Sequence, residues 1–153
     1  MQFNNPSEIV KDLTFGKKAN AKIMSGVNKL ANAVKSTLGA SGKCVIYEDA
    51  LGRPVITKDG VTVAESVVLY DPVENIGATL IKEAAANTVR EAGDGTTTAT
   101  VLAHAILRNL NDNINEEQIR SLKRGVNDCA EEIMVHLDDA SIPVADQMLQ
   151  QVA

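Results

Sequence analysis

The chain has 153 residues and a formal net charge of -5, and its apolar content of 44% is enough for one globular domain with a hydrophobic core. The negative charge argues against a duplex nucleic-acid partner, which needs a cationic surface. The sequence shows neither a run long enough to span a membrane nor an apolar signal core, so we expect a cytoplasmic protein without a membrane partner. Because aromatic residues make up only 3%, we expect a core of Ala, Val, Leu and Ile.

The first predicted element is a helix from Lys17 to Leu38, in which apolar residues recur at steps of three and four. Gly39 follows in the position typical of a helix C-cap. The apolar positions of this helix are Ala19, Ile23, Val27, Leu30, Val34 and Leu38.

Extended chain is predicted next. Residues 43–48 and 54–57 are rich in apolar side chains and flank a turn at 49–52, a pattern that indicates a β-hairpin. The tripeptide 58–60 is a second predicted turn. The segment Ser66–Leu69 is a third short apolar run of the kind found in strands.

The two cysteines, Cys44 and Cys129, lie far apart and belong to no Cys/His cluster or C-x-x-C motif. Neither a metal site nor a redox site is therefore predicted from them. Both occupy apolar positions, which predicts two buried thiols in a reducing compartment.

Three more helices are predicted after Pro72, and they span about Val73–Glu91, Thr96–Leu110 and Glu116–Leu137. Positions expected to face inward include Ile76, Leu80, Ile81, Ala85, Leu102, Ile106, Ile133 and Leu137. A polar loop, a linker and a short helical stub are expected at residues 111–113, 141–143 and 145–153. The predicted fold class is mainly α and multihelical, with a small antiparallel β-hairpin.

The most informative motif is the string GDGTTT, from Gly93 to Thr98. Its two glycines permit a tight turn and a close approach of ligand to backbone. The threonines open a helix whose free N–H groups and hydroxyls suit phosphate. Asp94 would repel phosphate unless a divalent cation lies between them, and Mg²⁺ commonly combines one or two carboxylates with phosphate oxygens. The alternative is a plain helix cap by Asp94 or Thr96.

Two other loops are weaker signals when each is taken alone. The segment 37–39, followed by Gly42, is either an ordinary helix end or part of a binding loop. Lys58 and Asp59 are either an exposed turn or groups that meet phosphate and orient water.

In their order and spacing, the three pieces resemble the group I chaperonins, the GroEL family. The shared patterns are T-L-G-x-x-G at a helix end, I-T-K-D-G-V-x-V after a hairpin and G-D-G-T-T-T-A-T-V-L-A at a helix start. They correspond here to residues 37–42, 56–63 and 93–103. The resemblance covers about Phe15 to Val152.

The resemblance implies an ATP site with Mg²⁺ and K⁺ as cofactors. It implies that Asp94 binds Mg²⁺, that Asp59 helps to position the attacking water, and that the backbone carbonyls of Thr37 and Lys58 bind K⁺. Ala40 and Ser41 stand where the family usually has Pro-Lys, which indicates a divergent member such as a viral one. The residues implied to contact the nucleotide are Thr37, Leu38, Gly39, Ala40, Lys58, Gly60, Gly95, Thr96, Thr97 and Thr98.

The resemblance also implies a division of the chain. Residues 1–139 would be the N-terminal half of an equatorial ATPase domain, and residues 140–153 the start of an intermediate hinge domain. The rest of the equatorial domain, the apical domain and the main catalytic aspartate would lie outside this chain, which alone would not hydrolyse ATP. The full-length protein would be a ring of identical subunits, expected to be a heptamer, that folds unfolded client proteins, with a co-chaperonin as a further partner.

Two other functions are left open. One is a small phosphotransferase that uses the GDGTTT loop, but the sequence shows neither an acceptor-binding element nor a G-x-x-x-x-G-K-[ST] P-loop. The other is a non-catalytic fragment or ring-assembly module of a divergent chaperonin, which is consistent with half of an ATP site.

Overall fold

The computed structural model describes residues 13–113 and 118–144. The chain divides into two compact units, Met1–Asn111 and Asp112–Ala153. The predicted start of the last helix at Glu116 and the predicted stub at 145–153 lie outside the described residues. Within those residues, no helix has the length and apolar character needed to cross a membrane.

The described part of the chain is mainly helical and has one two-stranded antiparallel sheet, which confirms the predicted fold class. One difference is that the fourth helix continues through 111–113, which was predicted to be a polar loop. The elements in chain order are α1 Gly16–Lys35, β1 Val45–Glu48, β2 Pro54–Thr57, α2 Gly60–Ser66, α3 Pro72–Ala92, α4 Thr96–Asn113 and α5 Ile119–Ala140.

Helix α1 ends earlier than predicted, at Lys35 instead of Leu38. The N–H of Thr37 donates to the carbonyl of Val34 at 3.0 Å, and that of Leu38 to the carbonyl of Lys35 at 3.1 Å. These i→i+3 bonds tighten the chain into turns that cannot continue an α-helix. Gly39, with a φ of 76°, therefore belongs to the following loop and is not the helix cap.

The predicted turn at 58–60 starts a helix, α2, that the sequence did not reveal. Asp59 is its N-cap, and the Asp59 carboxylate accepts the N–H of Thr62 at 2.8 Å. The prediction of a strand-like run at Ser66–Leu69 is wrong, because α2 includes Ser66 and no strand follows it before α3.

The core of the first unit is aliphatic, as the lack of aromatic residues predicted. Among the described residues, its buried hydrophobic side chains come from α1, α2 and α3 and are Val27, Leu30, Ala31, Val34, Val63, Ala64, Ala78, Ile81 and Ala85. Several large residues predicted to face inward are instead about half exposed, namely Ile76, Leu80, Leu102 and Ile106. On α3, Gly77 makes the close approach to α1 and Ala78 is fully buried, which leaves Ile76 and Leu80 partly exposed.

Helices α1 and α3 approach so closely that glycine is required where they cross. A Cβ atom added to Gly26 would lie 1.8 Å from the backbone oxygen of Glu74. One added to Gly77 would lie 2.1 Å from the backbone oxygen of Ile23. Each glycine thus faces the main chain of the opposite helix.

Polar side chains also connect α1 to α3 at the edge of the same crossing. The Glu74 carboxylate accepts hydrogen bonds from Ser25 Oγ at 2.8 Å and from Lys29 Nζ at 2.6 Å. Lys22 Nζ pairs with Asp71, the N-cap of α3, at 2.5 Å. Partly exposed pairs contribute little to stability individually, but these three contacts together fix the position of α3 along α1.

The β1–β2 hairpin leaves one face exposed to solvent. Both cysteines are exposed as well, so the prediction of buried thiols is wrong. Ile46 and Ile56 are cross-strand partners, and each is about two-thirds exposed. Cys44 directly precedes this uncovered hairpin. Cys129 lies on α5, which has no buried residue.

Among the described residues of the second unit, the complete helix is α5. Leu122 and Val126 are half-buried, whereas Ile133 and Leu137, which were predicted to face inward, are 58% and 60% exposed. The described residues of this unit supply no second helix against which an apolar stripe could be buried.

Gly77→Ala is expected to lower the free energy of unfolding by about 1–3 kcal/mol, because the added methyl group must push α1 and α3 apart. The better helix propensity of alanine, about 1 kcal/mol, offsets only part of this loss. The matched control is Gly125→Ala in α5, where no atom lies within 4 Å of the added Cβ, and it should not destabilise the chain. Urea denaturation measures the free energy of unfolding of both variants. Equal losses in Gly77→Ala and Gly125→Ala would contradict the requirement for glycine at the crossing.

The contacts of Glu74 predict that the stability of the fold decreases at acidic pH. Hydrogen bonds from Lys29 and then Ser25 hold the pKa of the Glu74 carboxyl below its ordinary value. A lowered carboxyl pKa gives stability that is present above the unfolded-state pKa and is lost as the pH falls through the folded-state pKa. Thermal unfolding should therefore show a drop in Tm below about pH 4 that is shallower in Glu74→Gln. Parallel Tm curves for the two proteins would contradict this role.

Candidate functional site

The loop between α3 and α4 turns sharply at two glycines on either side of Asp94. Gly93 and Gly95 have φ values of 76° and 88°, which side chains other than glycine rarely adopt. The N–H of Gly93 closes α3 by donating to the carbonyl of Val89 at 2.8 Å. The loop therefore brings the chain directly from the end of one helix to the start of the next.

The start of α4 presents unpaired backbone donors. The first bond of its ladder runs from the N–H of Ala99 to the carbonyl of Gly95, at 2.8 Å. The N–H groups of Thr96, Thr97 and Thr98 precede that bond and have no acceptor within the helix. Such a helix end favours an anionic ligand.

The start of α2 lies against the start of α4. A Cβ added to Gly60 would lie 2.1 Å from Oγ1 of Thr97 and 3.5 Å from Val34. Gly60 is buried, and only a residue without a side chain leaves room for the Thr97 hydroxyl. This contact places Asp59, the residue before Gly60, next to the GDGTTT loop.

A cavity of about 170 Å³ lies where these helix starts meet. Its polar groups are two carboxylates and the threonines at the start of α4. Asp94 turns one oxygen, Oδ1, to the N–H of Gly95 at 2.6 Å. The lining residues are Asp59, Val61, Asp94, Gly95, Thr96, Thr97 and Thr98.

The Asp59 carboxylate is held in one orientation by the first turn of α2. Its Oδ2 accepts the Thr62 hydroxyl at 2.5 Å and the Thr62 N–H at 2.8 Å, whereas Oδ1 makes only a long 3.4 Å contact with the N–H of Val61. Hydrogen bonds from the Thr62 side chain and then its backbone lower the pKa of Asp59. The group is therefore ionised at neutral pH, with Oδ1 the less engaged oxygen.

The structure gathers some of the predicted site residues and leaves others apart. Asp59, Asp94, Gly95 and Thr96 to Thr98 share one cavity, and Gly60 touches it through Thr97. The predicted nucleotide contacts that neither line the cavity nor contact its lining in this way are Thr37, Leu38, Gly39, Ala40 and Lys58.

Thr37 lies in the turn that follows α1, with its polar groups already in local contacts. Its hydroxyl donates to the carbonyl of Val34 at 2.8 Å. Its own carbonyl oxygen is 2.1 Å from the position of a Cβ on Gly42, so Gly42 packs directly against it. Helix α1 approaches the cavity through Val34, which lies 3.5 Å from the position of a Cβ on Gly60.

Sequence reasoning missed two features of the site. Thr62 orients Asp59, and the D-x-x-T spacing of an N-cap was the signal that could have found it. Thr96 and Thr100 are 5% and 0% exposed, and their hydroxyl oxygens have no protein hydrogen-bond partner. Threonines one turn apart on α4 could be predicted to share a face, but their burial depends on tertiary packing.

The donor set fits a magnesium–phosphate ligand better than a protein-enclosed metal. Among the described residues, no three His, Cys, Asp or Glu side chains are grouped as a metal site. The cavity instead combines two carboxylates with helix N–H groups and hydroxyls. Mg²⁺ is typically held in this way, by one or two carboxylates together with phosphate oxygens and water.

Thr62→Val is expected to raise the pKa of Asp59 towards its ordinary value, because it removes the hydroxyl donor while keeping the side-chain shape. The Thr62 N–H still caps the carboxylate, so α2 should persist. NMR titration of the Asp59 carboxyl carbon measures the change, with Thr79→Val on the exposed face of α3 as the control. An unchanged Asp59 titration in Thr62→Val would show that the hydroxyl does not stabilise the carboxylate.

Comparison with known proteins identifies the family. The family model for the TCP-1/cpn60 chaperonin family matches residues 30–153. Two crystal structures of the chaperonin gp146 from the bacteriophage EL 2 (Pseudomonas aeruginosa), both in the presence of ATP-BeFx, are 32% identical with a TM-score of 0.73 over 84% of this chain. The match covers 22% of the phage chain in crystal form II and 23% in form I, so this chain spans less than a quarter of that protein. The chain belongs to the TCP-1/cpn60 chaperonin family.

Proposed function

We propose that this chain provides the phosphate- and magnesium-binding part of the ATP site of a chaperonin subunit. The observation that carries the proposal is the single cavity shared by Asp59, Asp94 and the start of α4. The start of α4 attracts anions, yet two acidic side chains lie beside it. This combination suits a phosphate that binds together with a cation, because the cation offsets the repulsion between the carboxylates and the phosphate. The phage relative crystallised in the presence of ATP-BeFx supports a nucleotide as the ligand.

Phosphate binding is assigned to the first turn of α4. The N–H groups of Thr96, Thr97 and Thr98 precede the helix ladder and are available to phosphate oxygens. The positive end of the helix dipole strengthens the interaction. Gly95 has no side chain to block a close approach of the phosphate to the main chain.

The two carboxylates have separate roles in this proposal. Asp94 is the magnesium ligand, and the bound ion would neutralise charge on the phosphates. Asp59 orients the attacking water through Oδ1, because Oδ2 is engaged by Thr62. A fixed, ionised carboxylate suits that task, since phosphoryl transfer depends mainly on positioning and electrostatics.

The remaining members of the site follow the family pattern. We include Thr37, Leu38, Gly39, Ala40, Lys58 and Gly60 as nucleotide-contacting residues. The backbone carbonyls of Thr37 and Lys58 are proposed to bind K⁺. Support for these assignments is the matching order of the three sequence blocks.

For the whole protein, we propose a cytoplasmic ring of identical subunits that uses ATP hydrolysis to assist the folding of unfolded proteins. In this proposal, residues 1–139 belong to the equatorial domain and residues 140–153 begin the intermediate domain. The apical domain, the remaining equatorial half and the main catalytic aspartate belong to the rest of the subunit. Family membership supports the ring, for which a heptamer is expected, and a co-chaperonin is a further proposed partner.

A second candidate is a ring-assembly module without turnover of its own. The observation that favours it is the open hairpin face, where Ile46 and Ile56 are 68% and 66% exposed. Steady ATP hydrolysis by the 153-residue chain alone would exclude this candidate.

The ATP-site proposal is tested by NMR titration of the chain with ATP at saturating Mg²⁺. The amide resonances of Thr96 to Thr98 and Gly95 should shift, and omission of Mg²⁺ should weaken the effect. Titration with adenosine is the matched control, because it lacks phosphate. Shifts confined to α5, or equal shifts with adenosine, would contradict a phosphate site at the start of α4.

Asp94→Asn is expected to lower ATP hydrolysis by about a hundredfold or more in the subunit as naturally encoded, because it removes a charged metal ligand. The amide oxygen can still accept the N–H of Gly95, so the loop should remain folded. The control Asp128→Asn on the exposed face of α5 should leave turnover unchanged. Turnover within about twofold of wild type in Asp94→Asn would contradict the assignment.

A further inference from the structure

The end of α2 opposite to Asp59 is held by side chains. Lys82, from α3, donates through Nζ to the carbonyl of Glu65 at 3.2 Å and to the carbonyl of Val67. The hydroxyl of Ser66 donates to the carbonyl of Val63 at 2.8 Å. The last carbonyls of a helix otherwise lack partners, so these contacts close the C-terminal end of α2.

Helix α2 depends on such contacts because it has only seven residues. A helix of two turns is not stable in isolation, so its position is set by what holds it. Val63 and Ala64 anchor its middle in the core, at 0% and 4% exposure. The start carries Asp59, and the end is held by Lys82.

Lys82 occupies a setting that disfavours a charge. It borders a second cavity, of about 180 Å³, with mostly aliphatic walls. Burial lowers the pKa of Lys82, and the Glu65 carboxylate partly opposes that shift. An ammonium group at such a place is stabilised by the two carbonyls and by the negative end of the α2 dipole. The residues around this cavity are Val61, Ala64, Glu65, Lys82, Ala85, Ala86, Val89 and Thr96.

The same region of α3 also holds the chain that leaves α2. Asn75 Oδ1 accepts the N–H of Leu69 at 3.0 Å. Lys82 and Asn75 therefore fix residues 65–69 on α3, and α3 is itself fixed on α1 by the glycine crossing. A change in the position of α2 would have to break these contacts first.

We infer that Lys82 is a positioning residue that sets the direction in which α2 presents Asp59 to the phosphate cavity. The inference rests on the proposed function. The hydrogen bonds of Lys82 go to the end of α2 and the residue after it, whereas Asp94 bonds to Gly95 within its own loop. Of the first turn of α4, Thr96 borders the same cavity as Lys82. Loss of Lys82 should therefore impair the placement of water by Asp59 more than the binding of nucleotide.

The test uses Lys82→Met, which keeps an apolar stem of similar length, and Lys82→Arg, which keeps several N–H donors. Lys123→Met on α5 is the matched control for loss of an exposed lysine charge. Amide hydrogen exchange is measured for α2 and α3 in the chain. ATPase kcat and nucleotide Kd are measured in the subunit as naturally encoded.

Lys82→Met is expected to speed exchange in α2 with little change in α3. It should lower kcat by about 10- to 100-fold, since a displacement of about 1 Å can cost that much, while Kd changes by less than about threefold. Lys82→Arg should restore most of the rate, and Lys123→Met should behave as wild type.

Three outcomes would overturn the inference: unchanged exchange in α2, equal losses in kcat and in nucleotide affinity, or no rescue by arginine. Failure of the proposed function looks different. In that case the wild-type subunit neither binds nor hydrolyses ATP, and the role of Lys82 in positioning Asp59 for hydrolysis is overturned with it. Hydrogen exchange still decides whether Lys82 holds α2.

Discussion

The rest of the first unit depends on the close contact between the main chains of α1 and α3. Gly26 and Gly77 leave so little space that each faces a backbone oxygen of the other helix. A contact between two rigid main chains tolerates less adjustment than one made by side chains, which can change rotamer. It therefore sets the relative positions of both helices along their lengths.

That crossing determines where the site can form. Val34, near the end of α1, lies 3.5 Å from the position that a Cβ would take on Gly60 at the start of α2. The far end of α3 leads through Gly93 into the loop that begins α4. Residues that are distant in sequence thus meet because the helices that carry them are positioned by one fixed contact. The cavity is formed by helix ends and not by a long loop.

Helical periodicity was sufficient to predict α1, α3 and α4, because each is long enough to repeat its pattern several times. It failed for α2, since two turns give almost no repeat and Lys-Asp-Gly resembles a turn. It placed the buried face of α3 only in part. Ile81 and Ala85 are buried as predicted, whereas the large residue Leu80 is half exposed because the small residues Gly77 and Ala78 occupy the buried face. The tightness of a helix crossing is a tertiary property that side-chain size alone does not reveal.

The candidate site was predictable to the extent that its chemistry lies in one continuous string. Residues 93–98 contain both glycines, the acid and the threonines in sequence order. The contribution of Asp59 could be placed only by family resemblance, because its approach to α4 depends on Gly60 meeting Thr97 in three dimensions. The orientation of Asp59 by Thr62 was missed because α2 was not predicted, although the D-x-x-T spacing at its start is present in the sequence.

The buried hydroxyls of Thr96 and Thr100 have a consequence for how tightly α4 is attached. A buried polar group without a partner typically costs about 1–3 kcal/mol relative to an apolar group of the same shape. Valine at these two positions would suit the aliphatic surroundings better. The helix that carries the phosphate-binding groups is therefore held less firmly than aliphatic side chains at the same two positions would hold it.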